Sequence, residues 1–249
     1  MATIVSLHAH PDDEALLTGG WLAQRAAAGD RVVLVFATEG EAGLTGATYA
    51  DAPLGRTRRD EAAAAARALG VRDVAWLGYA DSGMASEPTT GSHRLADAPV
   101  EEVAARVAAI LDEERADVLT GYDSHGGYGH PDHVAVHHAA RAAQSLASTR
   151  PVLLEATVDR TWLVRLFRLL RPVARLLPGL TIPGDDIYAA RATIHRTVDV
   201  ASQLDAKRAA LAAHRSQADG GIRTVAVLLR LPRPLARKVL GTEWFVEVS

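Results

Sequence analysis

The sequence predicts an α/β fold, with a Rossmann-like, mostly parallel sheet, helices on both faces and a small C-terminal elaboration. Strand and helix patterns alternate through the first 158 residues, which is the order that builds a parallel sheet. The second strand pattern, Arg31–Ala37, is a continuous apolar run of the kind that is buried on both faces. With 249 residues the chain can form one large domain. We expect a single domain over 1–249, with its core at 1–158 and the elaboration at 159–249.

The elements of the core follow from apolar patterning and from glycines that end helices. Gly29 and Gly70 each follow a helical pattern, and the stretch from Thr38 to Arg56 is rich in glycine and reads as a loop. Helix patterns lie at Glu14–Ala28, Arg58–Leu69, Val100–Arg115 and Pro131–Ser145. Strand patterns lie at Thr3–Leu7, Arg31–Ala37, Asp73–Leu77, Asp117–Thr120 and Val152–Val158.

The last third of the chain has a different pattern. Trp162–Leu177 is apolar, has arginines at spacings of three to four and is interrupted by Pro172. It predicts a lid or oligomer helix whose arginines reach solvent, which we favour, or a surface for peripheral contact with a membrane or an acyl chain. Leu204–Ser216 predicts another helix, and the region 223–239 is again apolar with spaced arginines. Thr242–Val248 predicts a closing strand.

Composition excludes several classes of protein. The net charge of −3 lacks the basic excess expected of a nucleic-acid binder. Without cysteine there is no disulfide or thiolate site, so any metal must bind to histidine and carboxylate. No uncharged apolar run reaches about 18 residues, which argues against a membrane span. Met1–Val5 has no basic region typical of a signal peptide, so we expect the protein in the cytoplasm.

A polar cluster follows the first predicted strand. His10, Asp12 and Asp13 lie within four positions, at the carboxyl end of a strand, where open α/β sheets bind ligands. Two carboxylates beside an imidazole are ordinary ligands for a divalent cation. A purely structural alternative is that Asp12 to Glu14 form the acidic first turn of a helix, but this explanation gives His10 no role.

A second polar cluster, Tyr122–His133, follows the fourth predicted strand. Of the ten histidines, two lie at 8–10 and five at 125–138. Both clusters follow the carboxyl ends of predicted strands, which share one edge of a parallel sheet. We therefore expect the two clusters to meet in space.

These residues suggest a metal centre. His10 and Asp13 are three residues apart at a helix start and face the same way. His133 begins the helix after the second cluster and is the natural third ligand. Two histidines and one carboxylate with an open position suit a catalytic Zn²⁺, with Fe²⁺ as the alternative.

The neighbouring residues then suggest catalysis. Asp12 is placed beside the metal, to take a proton from bound water. His130, when protonated, would stabilise an oxyanion or protonate a leaving amine. Asp132 is placed to orient an imidazole. Other polar residues are expected in supporting positions. Glu14 is expected to cap the helix or orient a ligand, His8 to be buried and hydrogen-bonded, and His137 and His138 to be packing or surface residues. For His125 and His214, a position behind the site and one at the surface both stay open.

Together the runs at 10–14, His-Pro-Asp-Asp-Glu, and 129–133, Gly-His-Pro-Asp-His, resemble the zinc-dependent de-N-acetylases of the PIG-L or LmbE-like family. The resemblance extends to Arg58 and Glu61, to Leu77–Met84 and to Ala213–Gln217. It covers most of the first 140 residues and is closest in motif to the mycothiol-pathway deacetylases and amidases.

The resemblance implies a Rossmann-like fold that does not bind a dinucleotide, and the same metal and catalytic roles. It adds Tyr128 as a mobile tyrosine near the substrate carbonyl, and Arg58 and Asp81 as substrate-facing residues. From the residues alone, a solvated helix arginine at 58 and a turn-forming aspartate at 81 stay open.

The expected function is hydrolysis of an N-acetyl or N-acyl group on an amino sugar by metal-activated water. One alternative is an amidase that cleaves a mycothiol-type S-conjugate. Another is a non-catalytic metal- or sugar-binding protein; nucleotide binding is disfavoured because no Gly-x-Gly-x-x-Gly follows the first strand. The expected partner is a small amino-sugar conjugate, and assembly into a homo-oligomer is left open.

Overall fold

The computed structural model describes residues 1–43, 54–84, 93–161, 163–164, 187–218 and 224–248. Within these residues the strands form one seven-stranded sheet with the order β3-β2-β1-β4-β5-β7-β6. The strands are β1 (Thr3–His8), β2 (Arg31–Thr38), β3 (Asp73–Tyr79), β4 (Val118–Tyr122), β5 (Val152–Thr157), β6 (Arg196–Asp199) and β7 (Thr242–Val248).

Strands β1 to β5 are parallel, and β7 lies antiparallel between β5 and β6. In the centre of the sheet, β1 pairs with β2 on one side and with β4 on the other, with Ile4 opposite both Val32 and Val118. The strand order therefore reverses between β1 and β4, and a crevice opens there at the carboxyl ends of the strands. The prediction of a mostly parallel α/β sheet is confirmed.

Helices cover both faces of the sheet, as predicted. Val33 and Val35 of β2 point to one face, which packs against α3 and α4, whereas Leu34 and Phe36 point to the other, which packs against α1, α2 and α5. The helices are α1 (Gly19–Ala27), α2 (Leu54–Ala68), α3 (Val100–Glu114), α4 (Pro131–Leu146), α5 (Leu204–Ala213), α6 (Thr224–Arg230) and α7 (Arg233–Leu240). Among the helices that the structure describes, none combines the length and apolar character needed to cross a membrane.

Element boundaries differ from the predictions where local chemistry intervenes. The helix predicted from Glu14 begins as a π-helical turn, Glu14–Thr18, before α1. Helix α2 begins at Leu54, inside the stretch that reads as a loop. The predicted helix 204–216 ends at Ala213, and a separate turn follows at Arg215–Ala218.

The C-terminal region contains two features that the sequence did not predict. The apolar region 223–239 forms two helices, α6 and α7. Pro232 lies just before the second and Pro234 in its first turn, because proline ends one helix and favours the first turn of another. Strand β6 is four residues long and mostly exposed, so it lacks the alternation that marks a strand. The predicted helix 162–177 lies outside the described residues except at Leu163 and Val164.

Candidate active site

The two polar clusters meet at the crevice between β1 and β4. The first cluster continues from β1, whose last residue is His8, and the second continues from β4, whose last residue is Tyr122. Because these strands are parallel neighbours in the sheet, the loops that follow their carboxyl ends lie next to each other. A single helical turn, Gly126–Gly129, and the start of α4 complete the second loop.

The three predicted metal ligands lie together around one carboxylate oxygen. Asp13 Oδ2 is 3.3 Å from His133 Nε2 and 3.5 Å from His10 Nδ1. Ligand atoms about 2.0–2.2 Å from a tetrahedrally bound zinc lie roughly 3.4 Å apart. The separations therefore have the size that such an ion requires, and all three side chains are buried.

Hydrogen bonds fix which imidazole nitrogen faces Asp13. His133 Nδ1 lies 3.2 Å from the carbonyl oxygen of Gly126, which can only accept, so the ring proton is on Nδ1. His133 Nε2 is buried without a hydrogen bond and directs its lone pair at the Asp13 carboxylate. Two electron-pair donors facing each other at this distance require a positive charge between them, which a bound cation or a proton would supply.

His10 follows the same logic. Its Nε2 lies 3.1 Å from Asp132 Oδ2 and 3.4 Å from Asp81 Oδ1, so Nε2 donates and Nδ1 is left for Asp13. Burial opposes protonation, but the carboxylates of Asp13, Asp132 and Asp81 together raise the pKa of His10 well above its usual value. In the absence of a metal ion, a proton is therefore expected on His10 Nδ1, facing Asp13. Carboxylates behind a ligating histidine are the common means of orienting it.

Two other groupings of possible ligand atoms occur in the described part of the chain. His10, His130 and His133 have ligand atoms within 4.8 Å of one another, as do His10, Asp81 and Asp132. We favour the set that contains Asp13, because both of its separations from Asp13 Oδ2 match a tetrahedral edge, and because His10 Nε2 is hydrogen-bonded to Asp132.

Tyr122 holds the carboxylate of Asp13, a role the sequence analysis did not assign. Its hydroxyl donates to Asp13 Oδ2 at 2.6 Å and accepts from the amide of Ala9 at 2.9 Å, while its ring stacks on His133 at 4.2 Å between centroids. Burial opposes ionisation of Asp13, but His133 and His10 lower its pKa well below the usual value. The available signal was the position of Tyr122 directly after an apolar strand.

Asp12, which precedes Asp13, has a strained backbone conformation. Its φ of 108° is outside the range that side-chain-bearing residues usually adopt, and such strain is concentrated at functional sites. Its amide donates to Glu14 Oε2 at 2.9 Å. Burial, with help from the Asp13 charge, raises the pKa of Asp12 to about 6, although the Arg58 guanidinium opposes this. A carboxylate with that pKa can accept a proton near neutral pH.

Arg58 lies behind Asp12 rather than in open space. It is buried, donates to the carbonyl oxygens of Pro11 and Gly40, and approaches Asp12 Oδ1 to 3.6 Å. Gly40 has a φ of 69°, and a Cβ built there would lie 2.1 Å from the guanidinium, so only glycine fits. The substrate-facing role of Arg58 stays a prediction, whereas its contact with Asp12 is observed.

The surroundings of His130 favour its neutral form. The amide of Asp132 donates to His130 Nδ1 at 3.2 Å, so the ring proton is on Nε2. Burial and the neighbouring imidazoles of His10 and His133 lower the pKa of His130 to about 4. A pKa this low favours a neutral ring that donates through Nε2, and the catalytic role of His130 stays a prediction.

Asp132, Asp81 and Tyr128 occupy three different positions. Asp132 is buried, and its Oδ2 contacts His10 and accepts from the amide of Ser82 at 2.9 Å. Asp81 is also buried and contacts His10, and this contact lowers its pKa although burial opposes the shift. Tyr128 is 43% exposed, and its ring centroid is 5.2 Å from that of His133, so it lies beside His133 with part of its side chain in solvent. Substrate contacts of Asp81 and Tyr128 stay predictions.

A buried hydrogen-bond chain connects the site to the C-terminal region. His214 Nε2 lies 2.6 Å from Glu14 Oε1, and the other oxygen of Glu14 accepts from the amide of Asp12. Both oxygens of Glu61, on the helix that carries Arg58, accept from Ser216. His214 is fully buried and thus lies behind the site rather than at the surface.

The other histidines lie outside the group around Asp13. His8 is buried and hydrogen-bonded to Ser6 at 2.8 Å, as expected. His137 is buried against the carbonyl oxygen of Tyr122 and against Glu155, and His138 is exposed. His125 is partly buried and lies 4.0 Å from Asp123.

Comparison with known proteins gives consistent results. Residues 5–144 match the family model described as PIG-L, GlcNAc-PI de-N-acetylase. Proteins named 1D-myo-inositol 2-acetamido-2-deoxy-alpha-D-glucopyranoside deacetylase are similar to the chain. The protein of Nocardiopsis dassonvillei is 36% identical over 96% of this chain and 91% of its own, and that of Nakamurella multipartita is 41% identical over 88% and 80%.

Among solved structures, the fold resembles that of N,N'-diacetylchitobiose deacetylase from Pyrococcus horikoshii. The TM-score is 0.66 and the sequence identity 21%, over 99% of this chain and 84% of that chain. At this identity the likeness concerns the fold alone.

Proposed function

The chain belongs to the PIG-L family of GlcNAc-PI de-N-acetylases, and we propose that it uses Zn²⁺, held by His10, Asp13 and His133, to remove the N-acetyl group of a glucosaminyl-inositol. The observation that carries this proposal is the approach of one imidazole nitrogen of His10 and one of His133 to within 3.5 Å of a single oxygen of Asp13. It is supported by Asp12, whose raised pKa suits a general base next to that position. The substrate is taken from the names of the relatives.

When bound, zinc supplies a Lewis acid that polarises the amide carbonyl and lowers the pKa of a water molecule toward neutrality. Asp12 accepts the proton of the attacking water. Arg58, at 3.6 Å, keeps part of the negative charge on Asp12 balanced before that transfer. The water oxygen forms the new bond to the carbonyl carbon.

His130 donates its Nε2 proton as a hydrogen bond to the oxyanion, because its Nδ1 is engaged by the amide of Asp132. The C–N bond then breaks, and Asp12 returns its proton to the departing amine. His130 is poorly suited to that second step, since its pKa of about 4 leaves it neutral. The products are acetate and the free amino sugar.

Removal of the metal tests the proposal. Purified protein is stripped with a chelator, reloaded with Zn²⁺ or Fe²⁺, and assayed for acetate release from N-acetylglucosaminyl-inositol, with metal content measured in each sample. We expect activity to vanish on stripping and to return with one equivalent of metal, since the ion supplies several kcal/mol of the rate enhancement.

Asp12→Ala is the matched control, because this residue is not placed as a ligand. It should retain one equivalent of metal yet lose about 10²- to 10⁴-fold in kcat, the usual contribution of a positioned base. Full activity of Asp12→Ala contradicts the mechanism. Metal binding without turnover of any N-acetylated sugar by the wild type identifies a binding protein instead.

A further inference from the structure

An apolar cavity is continuous with the proposed metal site. It has a volume of about 210 Å³, and Asp13, His133 and Tyr128 of the site form part of its wall. The rest comes largely from the C-terminal region and from the π-helical turn that follows Asp13. Its apolar lining includes Leu16, Leu17, Leu228, Val239, Leu240 and Trp244.

The charged side chains in this wall are already paired. Lys207 and Glu243 are buried, and Lys207 Nζ donates to Glu243 Oε1 at 2.6 Å. The two Glu243 oxygens also accept from the amides of Gly20 and Trp21, both at 2.8 Å. Neither charge is therefore available to a polar ligand.

The hydroxyl of Thr157, which also lines the cavity, is engaged as well. It donates to Asp123 and accepts from the amide of Ala189 at 2.9 Å. A sugar or inositol ring needs several polar partners from its pocket. The wall also contains Tyr128, Tyr188 and Thr242, but most of its lining is apolar, which suits a hydrocarbon chain better than such a ring.

The volume exceeds what an acetyl group needs. An apolar cavity of roughly 150 Å³ accommodates a benzene ring, so a cavity of this size holds a chain of about six to eight carbons. Leu16, Leu17, Leu228 and Val239 are only partly buried, in keeping with their position on the wall. An occupant that covers them would gain the hydrophobic free energy of burial.

We propose that this cavity receives the N-acyl group of the substrate and that the enzyme hydrolyses medium-chain N-acyl amino sugars better than N-acetyl ones. This inference rests on the proposed function. The reaction balances as for acetyl: water adds to the carbonyl carbon, the C–N bond breaks, and a fatty carboxylate and the protonated amine leave. The carbonyl stays beside Asp13 and His133 while its alkyl chain extends along the apolar wall.

A series of N-acylglucosaminyl-inositols with acetyl, butanoyl, hexanoyl, octanoyl and dodecanoyl groups tests this with zinc-loaded enzyme. Each buried methylene is worth about fourfold in affinity, so we expect kcat/KM to rise to six or eight carbons and to stop rising at twelve. A steady fall from acetyl onward overturns the inference but leaves the de-N-acetylase intact. Absence of hydrolysis throughout the series indicates that the proposed function itself is wrong.

A pair of tryptophan substitutions tests whether the acyl chain of the substrate lies in this cavity. Leu228 lines the cavity, whereas Val227, its neighbour in α6, is 44% exposed and does not. Leu228→Trp should lower kcat/KM for the octanoyl substrate at least about tenfold, relative to less than twofold for acetyl, since it removes the space of several methylenes. Val227→Trp should change neither, and equal effects of both variants on both substrates contradict the assignment.

Binding provides a readout that does not depend on turnover. Trp244 lines the cavity, so its fluorescence should report octanoate but not acetate, and the signal should disappear in Trp244→Phe. We expect octanoate to bind at least about thirtyfold more tightly than acetate, which allows for the cost of ordering the chain. Octyl N-acetylglucosaminide is the competing arm: if its turnover, rather than that of the N-octanoyl sugar, depends on Leu228, the cavity serves the aglycone and the inference is wrong.

Discussion

The loops after β1 and β4 and the region after residue 187 contribute to the same site in different ways. The loops supply the groups that face the proposed metal and the reacting atoms, including His10, Asp13 and His133. The later region supplies supports behind them: His214 holds Glu14, and Glu243 holds both Lys207 and the start of α1. The residues that face the reacting atoms and the residues that hold them in place are thus far apart in the sequence although they are adjacent in space.

This difference predicts that changes in the two regions fail in different ways. A change in the loops should remove metal or turnover while the fold persists. A change in the supports should cost stability, or weaken catalysis only in part. The following substitutions test that separation, from the largest expected effect to the smallest.

Asp13→Asn should have the largest effect. It removes the charge shared by two imidazoles, so metal content should fall to background and kcat/KM by at least about a thousandfold, since the ion supplies several kcal/mol and each 1.36 kcal/mol is a factor of ten. Asp60→Asn, at an exposed position of α2, is the control and should leave both unchanged. Normal metal content in Asp13→Asn would exclude Asp13 as a ligand.

Glu243→Gln should act on stability. It leaves Lys207 buried without its carboxylate, and breaking a buried pair in this way costs about 3–5 kcal/mol in the free energy of unfolding. Denaturant unfolding measures the change. Glu247→Gln, on the same strand and in an exposed pair with Arg196, should cost less than about 1 kcal/mol; similar losses in both variants would contradict the comparison.

His214→Phe should show a partial effect. The change frees Glu14, which holds the amide of Asp12, so kcat should fall about 10- to 100-fold, as for other groups that orient a metal site from behind. Metal content should stay at one equivalent. His138→Phe, on the exposed side of α4, is the control. Loss of metal together with activity would place His214 closer to the ligands than the structure does.

The pH dependence of stability should show the smallest effect. Burial and Glu14 act in opposite directions on His214, with a net rise in its pKa above 6.5, while His214 lowers the pKa of Glu14 below 4.5 despite burial. The contribution of His214 to the free energy of unfolding is complete below pH 6.5 and is lost as pH rises through its raised pKa. The contribution of Glu14 is complete above pH 4.5 and is lost as pH falls through its lowered pKa. The wild type should therefore exceed His214→Phe most between pH 4.5 and 6.5, as measured by urea unfolding, and a difference that is constant with pH would contradict the pairing.

The sequence predicted the parallel core and the meeting of the two clusters because both depend on local signals. Apolar runs mark β1, β2 and β5, and the position of a polar loop after a strand fixes the edge of the sheet where it lies. The closing strand Thr242–Val248 was recognised from its alternation and lies where predicted. Its pairing between β5 and β6 was not predictable, since β6 has little apolar pattern.

The supports could not be predicted because they depend on contacts between distant positions. His214 and Glu14 are 200 residues apart, and Glu243 and Gly20 are 223 apart. A lysine in an otherwise amphipathic helix reads as a surface residue, so Lys207 gave no signal of burial. Tyr122 was visible at the end of a strand, but only the fold brings its hydroxyl to Asp13.

The capping of α1 by Glu243 has a consequence for biosynthesis. Strands β1 to β5 and helices α1 to α4 are all encoded before residue 158, so they can pair while the ribosome is still translating the rest. The amides of Gly20 and Trp21 receive their acceptor, and Lys207 its counterion, only once residue 243 has emerged. Nascent chains that stall between these points would hold a sheet with an open flank, a natural recognition site for chaperones.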